Sequence, residues 1–239
     1  MDVAKAFVPI AGKPLLWHAV RGVLAAGCVD GVVVAAPPLD LDDANRVLAP
    51  FSSVVSVVAG GPSRVESVRL ALARAEELLP GIGVVLVHDA ARAFTPPAVF
   101  AAVVAAVLAG RGAVVPVLPL VDTVKRVDGA GLIMSTVDRS TLRSVQTPQG
   151  FAPDVLRRAH AGARSDGGGG GDGVTDDAGL VEALGEPVHT VPGAAEAFKI
   201  TTPFDLALAE ALLARTAEAA AAAAAGVGGA AAAAGSSAR

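Results

Sequence analysis

Four short runs of β-branched residues limit what this chain can become. Gly31–Ala36, Val54–Val58, Gly83–His88 and Ala113–Leu118 are nearly free of polar alternation. Successive side chains of a strand point to opposite faces, so a strand with one wet face alternates; one without alternation must be covered on both sides. Between these runs lie helical stretches with recognisable ends. Pro14 opens one that closes at Gly27, and Ser63-x-x-Glu66 forms a capping box ahead of Val68, Leu72, Ala75 and Leu79. Thr95-Pro96 caps a helix that runs through Leu108 to Gly110, Thr175 starts one closed by Gly185, and Thr202-Pro203 starts the last. The alternation predicts an α/β fold with a doubly wound, mostly parallel sheet. Thr123–Val127 and Leu132–Val137 flank Asp128-Gly-Ala-Gly131, a hairpin signal. The expectation is a protruding arm over about 121–140, of the kind that reaches a neighbouring subunit.

Composition narrows the function classes. The chain is 53% hydrophobic but only 3% aromatic, so its apolar content is Ala, Val and Leu, the material of helices packed on a buried sheet. With 19 Lys and Arg against 23 Asp and Glu it lacks the basic groove and aromatic platforms that nucleic-acid binders use, and no nucleic-acid partner is expected. The lone Cys28 excludes an internal disulfide framework and any cysteine-rich metal site. The start lacks a signal-peptide layout, and no apolar run reaches the roughly 18 residues of a spanning helix. These features point to a soluble, cytoplasmic chain with no membrane partner. Residues 1–216 form the expected domain, interrupted by a flexible glycine loop over about 165–173. The Ala/Gly tail over 217–239 has nothing to bury and is expected to be disordered.

In an open parallel sheet, ligands bind beyond the carboxyl ends of the strands. His88-Asp89-Ala90-Ala91-Arg92 follows the third run. A carboxylate there, beside small residues and an arginine, suits a divalent metal and a phosphate; it also suits a plain loop salt bridge. Gly60-Gly61, followed by the helix that carries Ser67, permits close backbone approach to a ligand or forms a simple turn. Lys199 lies in the apolar setting Ala197-Phe-Lys-Ile200, where a lysine either snorkels or finds a partner. Thr147-Pro-Gln-Gly150 reads as a turn. The four histidines show no metal spacing and read as structural or surface residues, and Trp17 as packing.

Taken together, several segments resemble one family, the 2-C-methyl-D-erythritol 4-phosphate cytidylyltransferases. They are Lys5–Leu16, Gly60–Val68, Val87–Arg92, Val117–Lys125, Thr136–Arg139, Gln146–Gln149, Thr175–Ala178 and Ala197–Thr202, in family order. The resemblance implies a Rossmann-like nucleotidyltransferase fold. It also implies attack by the methylerythritol 4-phosphate oxygen on the α-phosphorus of CTP, with pyrophosphate released and Mg²⁺ present. On this likeness Lys5 stabilises charge on the triphosphate, and Asp89 lies at the metal and nucleotide with Ala90 against the ligand. Gly61 and Ser67 line the cytidine pocket. Arg139, Lys199 and Thr123 hold the sugar phosphate, while Arg92 and Thr147 lie around the site. The arm implies a homodimer in which Thr123 and Arg139 serve the partner's site. The same fold also serves other polyol phosphates such as ribitol 5-phosphate. Family members open with a strand and an Ala-Ala-Gly-x-Gly-x-Arg-type loop ahead of the lysine, whereas four residues precede Lys5 here. The expectation is a start set too late, leaving two neighbouring strand edges exposed; the alternative is a non-catalytic binding remnant.

Overall fold

Eleven strands and seven helices are described in a computed structural model, which covers residues 5–165, 175–216 and 218. The glycine loop, apart from Ser165, and the tail, apart from Glu218, lie outside the described residues. The strands are β1 Pro9–Ile10, β2 Lys13–Pro14, β3 Val32–Ala36, β4 Val55–Ala59, β5 Val85–Val87, β6 Ala113–Pro119, β7 Val124–Val127, β8 Ile133–Val137, β9 Arg143–Val145, β10 Gln149–Phe151 and β11 His189–Pro192. The helices are α1 Leu15–Ala25, α2 Leu41–Leu48, α3 Arg64–Leu78, α4 Pro97–Leu108, α5 Pro153–Ser165, α6 Asp177–Ala183 and α7 over 203–216.

The four apolar runs become β3, β4, β5 and β6, but they do not join into one mostly parallel sheet. β3 pairs β4 in parallel. A second sheet has the order β11-β6-β10-β5, in which β11 runs parallel to β6 while β10 is antiparallel to both of its neighbours. The sheet is therefore mixed, and Gln149–Phe151, which overlaps the expected turn, is an inner strand. Gly150 makes this possible: a Cβ there would stand 2.3 Å from Val103 Cγ1 of α4.

Side-chain alternation sorts this sheet's two faces. Ala113 and Phe151, with Val85 and Val87 packed alongside, join Leu72, Leu156 and Val181 of α3, α5 and α6. Val114 and Val191, with Val84 and Leu86, meet Val103 and Val107 of α4. Helix α1 serves two cores at once. Leu15 and Ala19 pack with Ala209 of α7, while Leu16 and Val20 pack with Ala36, Ala44 and Leu48.

Among the described residues, β3 pairs only β4 and β5 pairs only β10, so each keeps one open edge. A cavity of about 800 Å³ lies between them, lined by Val32–Ala35 and Val84–Val87 at the sides, with α1 and α3 residues such as Val20 and Val68 above and below. The expected pair of open strand edges is thus present, and together they enclose an apolar slot.

Helix ends follow local chemistry with two departures. The Ser63 hydroxyl accepts the Glu66 N–H, as the capping box requires. The hydroxyl of Thr95 instead donates back to the Arg92 carbonyl, leaving α4 without a side-chain cap. Helix α6 is capped by Asp176, whose carboxylate accepts the Gly179 N–H, not by Thr175. A carboxylate is the stronger acceptor at a helix start, where it also meets the dipole.

Candidate active site

The site is built at the end of β5, where the chain turns out of the sheet. Asp89 Oδ2 lies 2.9 Å from Lys199 Nζ and 3.9 Å from Arg92 Nε. Burial on its own would raise the Asp89 carboxyl, but Lys199, with smaller help from Arg64 and Arg92, outweighs it and holds the group below its ordinary range. Both close cations make their nearest approach to Oδ2.

Main-chain pinning places this pair. Arg92 Nη1 donates to the Ala197 carbonyl at 2.7 Å, and the Ile200 N–H donates to the Ala91 carbonyl at 2.8 Å. Lys199 is therefore carried to Asp89 by its neighbours on both sides. Arg92 Nη1 and Nη2 go to the Ala197 and Val145 carbonyls, and burial lowers the pKa of the guanidinium. The Gln146 amide clamps Ala194, donating to its carbonyl at 2.8 Å and accepting its N–H at 3.1 Å.

Thr147, one residue on, is buried beneath Asp89. Its Oγ1 accepts the Asp89 N–H at 3.0 Å and lies 3.0 Å from His88 Nδ1. Desolvation dominates at His88 and pushes its pKa down to about 4, so the ring is neutral at pH 7. Phe100 meets the same ring edge-on at 5.0 Å.

Gly61 and Ser67 face each other: the Gly61 N–H donates to Ser67 Oγ at 3.1 Å, while that hydroxyl reaches the Ser63 carbonyl at 2.9 Å. A Cβ on Gly61 would stand 2.3 Å from Glu66 Cγ, so only glycine fits against the first turn of α3. Ser67, His88, Asp89 and Ala90 all border the slot described above. Ala6, Phe7 and Ala90 pack on the same core cluster as Leu16 and Val20, and Lys5, just ahead of Ala6, is exposed.

Thr123 and Arg139 stand apart. Both are exposed, at the two ends of the β7–β8 hairpin, and neither takes part in the contacts that join Asp89, Lys199 and Thr147.

A family model described as 2-C-methyl-D-erythritol 4-phosphate cytidylyltransferase matches residues 1–215. The chain belongs to that family. A cytidylyltransferase of this name from Saccharopolyspora erythraea is 59% identical over 212 residues, covering 89% of this chain and 92% of the relative. One from Nocardia farcinica is 55% identical over 213 residues, covering 89% and 87%. Among solved structures, the cytidylyltransferase from Thermus thermophilus superposes with a TM-score of 0.71 at 40% identity, covering 87% of this chain and 92% of that one. A 4-diphosphocytidyl-2C-methyl-D-erythritol synthase gives a TM-score of 0.75 at 33% identity, covering 87% and 94%. The α/β nucleotidyltransferase fold follows from these likenesses.

Within this cytidylyltransferase frame, sequence reasoning missed three supporting side chains. Gln146 and Gln149 lie at a segment that reads as a turn, yet each clamps a distant stretch of chain. His160, read as structural or surface, is buried and stands 2.9 Å from Asp177 Oδ1. No local signal marks these partners, which lie 17 to 48 residues away. Among the described residues no group of three metal-ligating side chains occurs, and no helix is long and apolar enough to cross a membrane.

Proposed function

We propose that this chain transfers the cytidylyl group of CTP to 2-C-methyl-D-erythritol 4-phosphate, releasing pyrophosphate, in the cytoplasm. The observation that carries the reading is the Asp89–Lys199 pair at the end of β5, set within family motifs that run in order along the chain. A phosphate-monoester oxygen attacks the α-phosphorus, and the bond from that phosphorus to the bridging oxygen breaks. The attacking group is already ionised near neutral pH, so the displacement needs no general base. This agrees with a histidine that is half-buried, neutral and hydrogen-bonded to Thr147. The protein's task is positioning and charge neutralisation.

Lys5 supplies positive charge to the triphosphate, and Gly61, Ser67 and Ala90 shape the nucleotide side. Lys199 orients the sugar phosphate from its place on Asp89. Asp89 is the residue that would hold Mg²⁺. A single partly exposed carboxylate at the end of a strand fits an ion that takes its other ligands from phosphate and water. When bound, that ion neutralises phosphate charge.

Thr123 and Arg139 complete the sugar-phosphate side from a second copy of the chain. Among the described residues β7 and β8 pair only with each other, and the hairpin exposes Val127, Leu132, Ile133 and Met134, an apolar surface that a two-fold partner would cover. The protein sediments as a dimer on this reading, and a clean monomer at micromolar concentration overturns that part. The function is tested by following pyrophosphate release with CTP, Mg²⁺ and either methylerythritol phosphate or ribitol 5-phosphate. Release with the first alone supports the proposal; release with the second alone reassigns the substrate, and release with neither refutes cytidylyl transfer.

A further inference from the structure

We infer that Asp177 is a positioning residue for the nucleotide, acting through Arg64. The inference rests on the nucleotide reading of the site above, and it starts from a buried carboxylate to which that reading gives no role. The side chain of Asp177 is fully buried at the start of α6, and its two oxygens are divided between neighbours. Oδ1 lies 2.9 Å from His160 Nε2 of α5, and Oδ2 lies 2.6 Å from Arg64 Nη1.

Arg64 is the first residue of α3, between the Gly60-Gly61 turn and Ser67. Its side chain is 37% exposed, so one end of the guanidinium is anchored on a buried charge while the rest stays open. The same side chain borders the slot together with Ser67, His88 and Asp89. A guanidinium offers five donors in a rigid fork, and pinning one edge pre-orients the others. The open donors of Arg64 lie where the nucleotide's polar groups must pass between Ser67 and Asp89.

A tie that merely held three helices together would not need this arrangement. Burying a carboxylate is costly, and apolar packing between helices stabilises at least as well. What the charge uniquely provides is a fixed direction for a half-exposed cation at the mouth of the site. The neighbouring residue does a parallel job: Asp176 Oδ2 accepts from Gln149 Nε2 at 2.6 Å, and Gln149 Oε1 accepts the Ala178 N–H at 3.1 Å. The start of α6 is thereby fixed to the sheet, so Asp177 has a rigid base from which to hold Arg64.

The test is a double-mutant cycle on the full chain, with CTP and Mg²⁺ titrated by calorimetry. Asp177→Asn keeps the shape and removes the charge, and should weaken CTP binding roughly tenfold, the scale of one charge-assisted hydrogen bond. Arg64→Gln should weaken it by a similar factor. If Asp177 acts through Arg64, adding Asp177→Asn to Arg64→Gln should weaken binding no further. The affinity for methylerythritol phosphate should not change in any of the three. Equal, multiplicative losses in the double variant would overturn the inference, as would unchanged CTP binding in Arg64→Gln, a half-exposed position whose variant should fold even if Asp177→Asn does not. Absence of CTP binding by the unmodified protein would instead refute the nucleotide reading itself, and this inference with it.

Discussion

Replacing Thr147 by valine isolates one hydroxyl on which the Asp89 turn depends. The residue is 5% exposed, and its Oγ1 serves two partners, accepting the Asp89 N–H and sharing a hydrogen bond with His88 Nδ1, each at 3.0 Å. Valine has the same shape, so no cavity forms. What is lost is the partner of a backbone donor and of a ring nitrogen. Leaving a buried polar group unsatisfied costs about 1–3 kcal/mol each, and the added methyl returns about 0.8 kcal/mol. The net loss is about 1–5 kcal/mol, or roughly 2–20 °C in melting temperature for a domain of this size. Denaturant unfolding of wild type, Thr147→Ser and Thr147→Val measures it. Serine keeps the hydroxyl and should lose no more than the methyl's packing. The same series read by turnover should show kcat/KM falling with valine and largely kept with serine, because Asp89 moves when its N–H is released. A valine variant as stable and as active as wild type would refute this account of how the turn is held.

Three further outcomes are expected. His88 has a folded pKa of about 4, below its ordinary 6.5, so the stability it contributes is complete above pH 6.5 and lost as pH falls through 4. Unfolding free energy should fall by about 3 kcal/mol across that window from this residue, and His88→Gln should flatten the decline; parallel curves for both proteins would contradict it. Gly150→Ala places a Cβ 2.3 Å from Val103 Cγ1, so it should cost about 1–3 kcal/mol by overpacking, with partial recovery in Gly150→Ala/Val103→Ala, measured by thermal unfolding. In Lys199→Met the burial of Asp89 is no longer outweighed, so its carboxyl rises and CTP binding with Mg²⁺ should fail at a higher pH on the acid side; an unmoved acid limb would show that Lys199 does not set the charge of Asp89.

How much of this was legible in the sequence depends on the range over which each feature is decided. β3 to β6 were legible because burial on both faces is written into consecutive β-branched residues. The β7–β8 hairpin was legible because Asp128 and Gly131 are local turn chemistry, and Asp128 Oδ1 does accept the Ala130 and Leu132 N–H groups. β10 was not, since Gln-Gly-Phe is too short to show a period and follows a proline. Its identity comes from β5 and β6 on either side, and from the contact of Gly150 with α4. The direction of β10 mixes the sheet for the same reason, because nothing local tells a returning strand which way to run. The grouping of Asp89 with Lys199 was reached through the resemblance; spacing alone left Asp89–Arg92 open as a loop salt bridge. In the structure that contact is the longer one, and Lys199 is the true partner.

One stretch, Gln146 to Gln149, accounts for most of what holds the site in place. Its three polar side chains reach in different directions: Gln146 to Ala194, Thr147 to His88 and Asp89, and Gln149 to Asp176 and Ala178. The sheet itself cannot do this work, because its side chains at this end are valine and leucine, which pack without fixing direction. A hydrogen bond does fix direction, and a buried one is expensive to break. Pinning Ala194 sets where the chain re-enters, and Arg92 then holds Ala197 by its carbonyl, so only one residue separates that anchor from Lys199. The Asp89–Lys199 pair is therefore a result of main-chain geometry settled several residues away on each side, and not a contact that two free side chains find for themselves. That is why Lys199 can be half exposed and still be held at 2.9 Å, where an unsupported surface pair would be worth little.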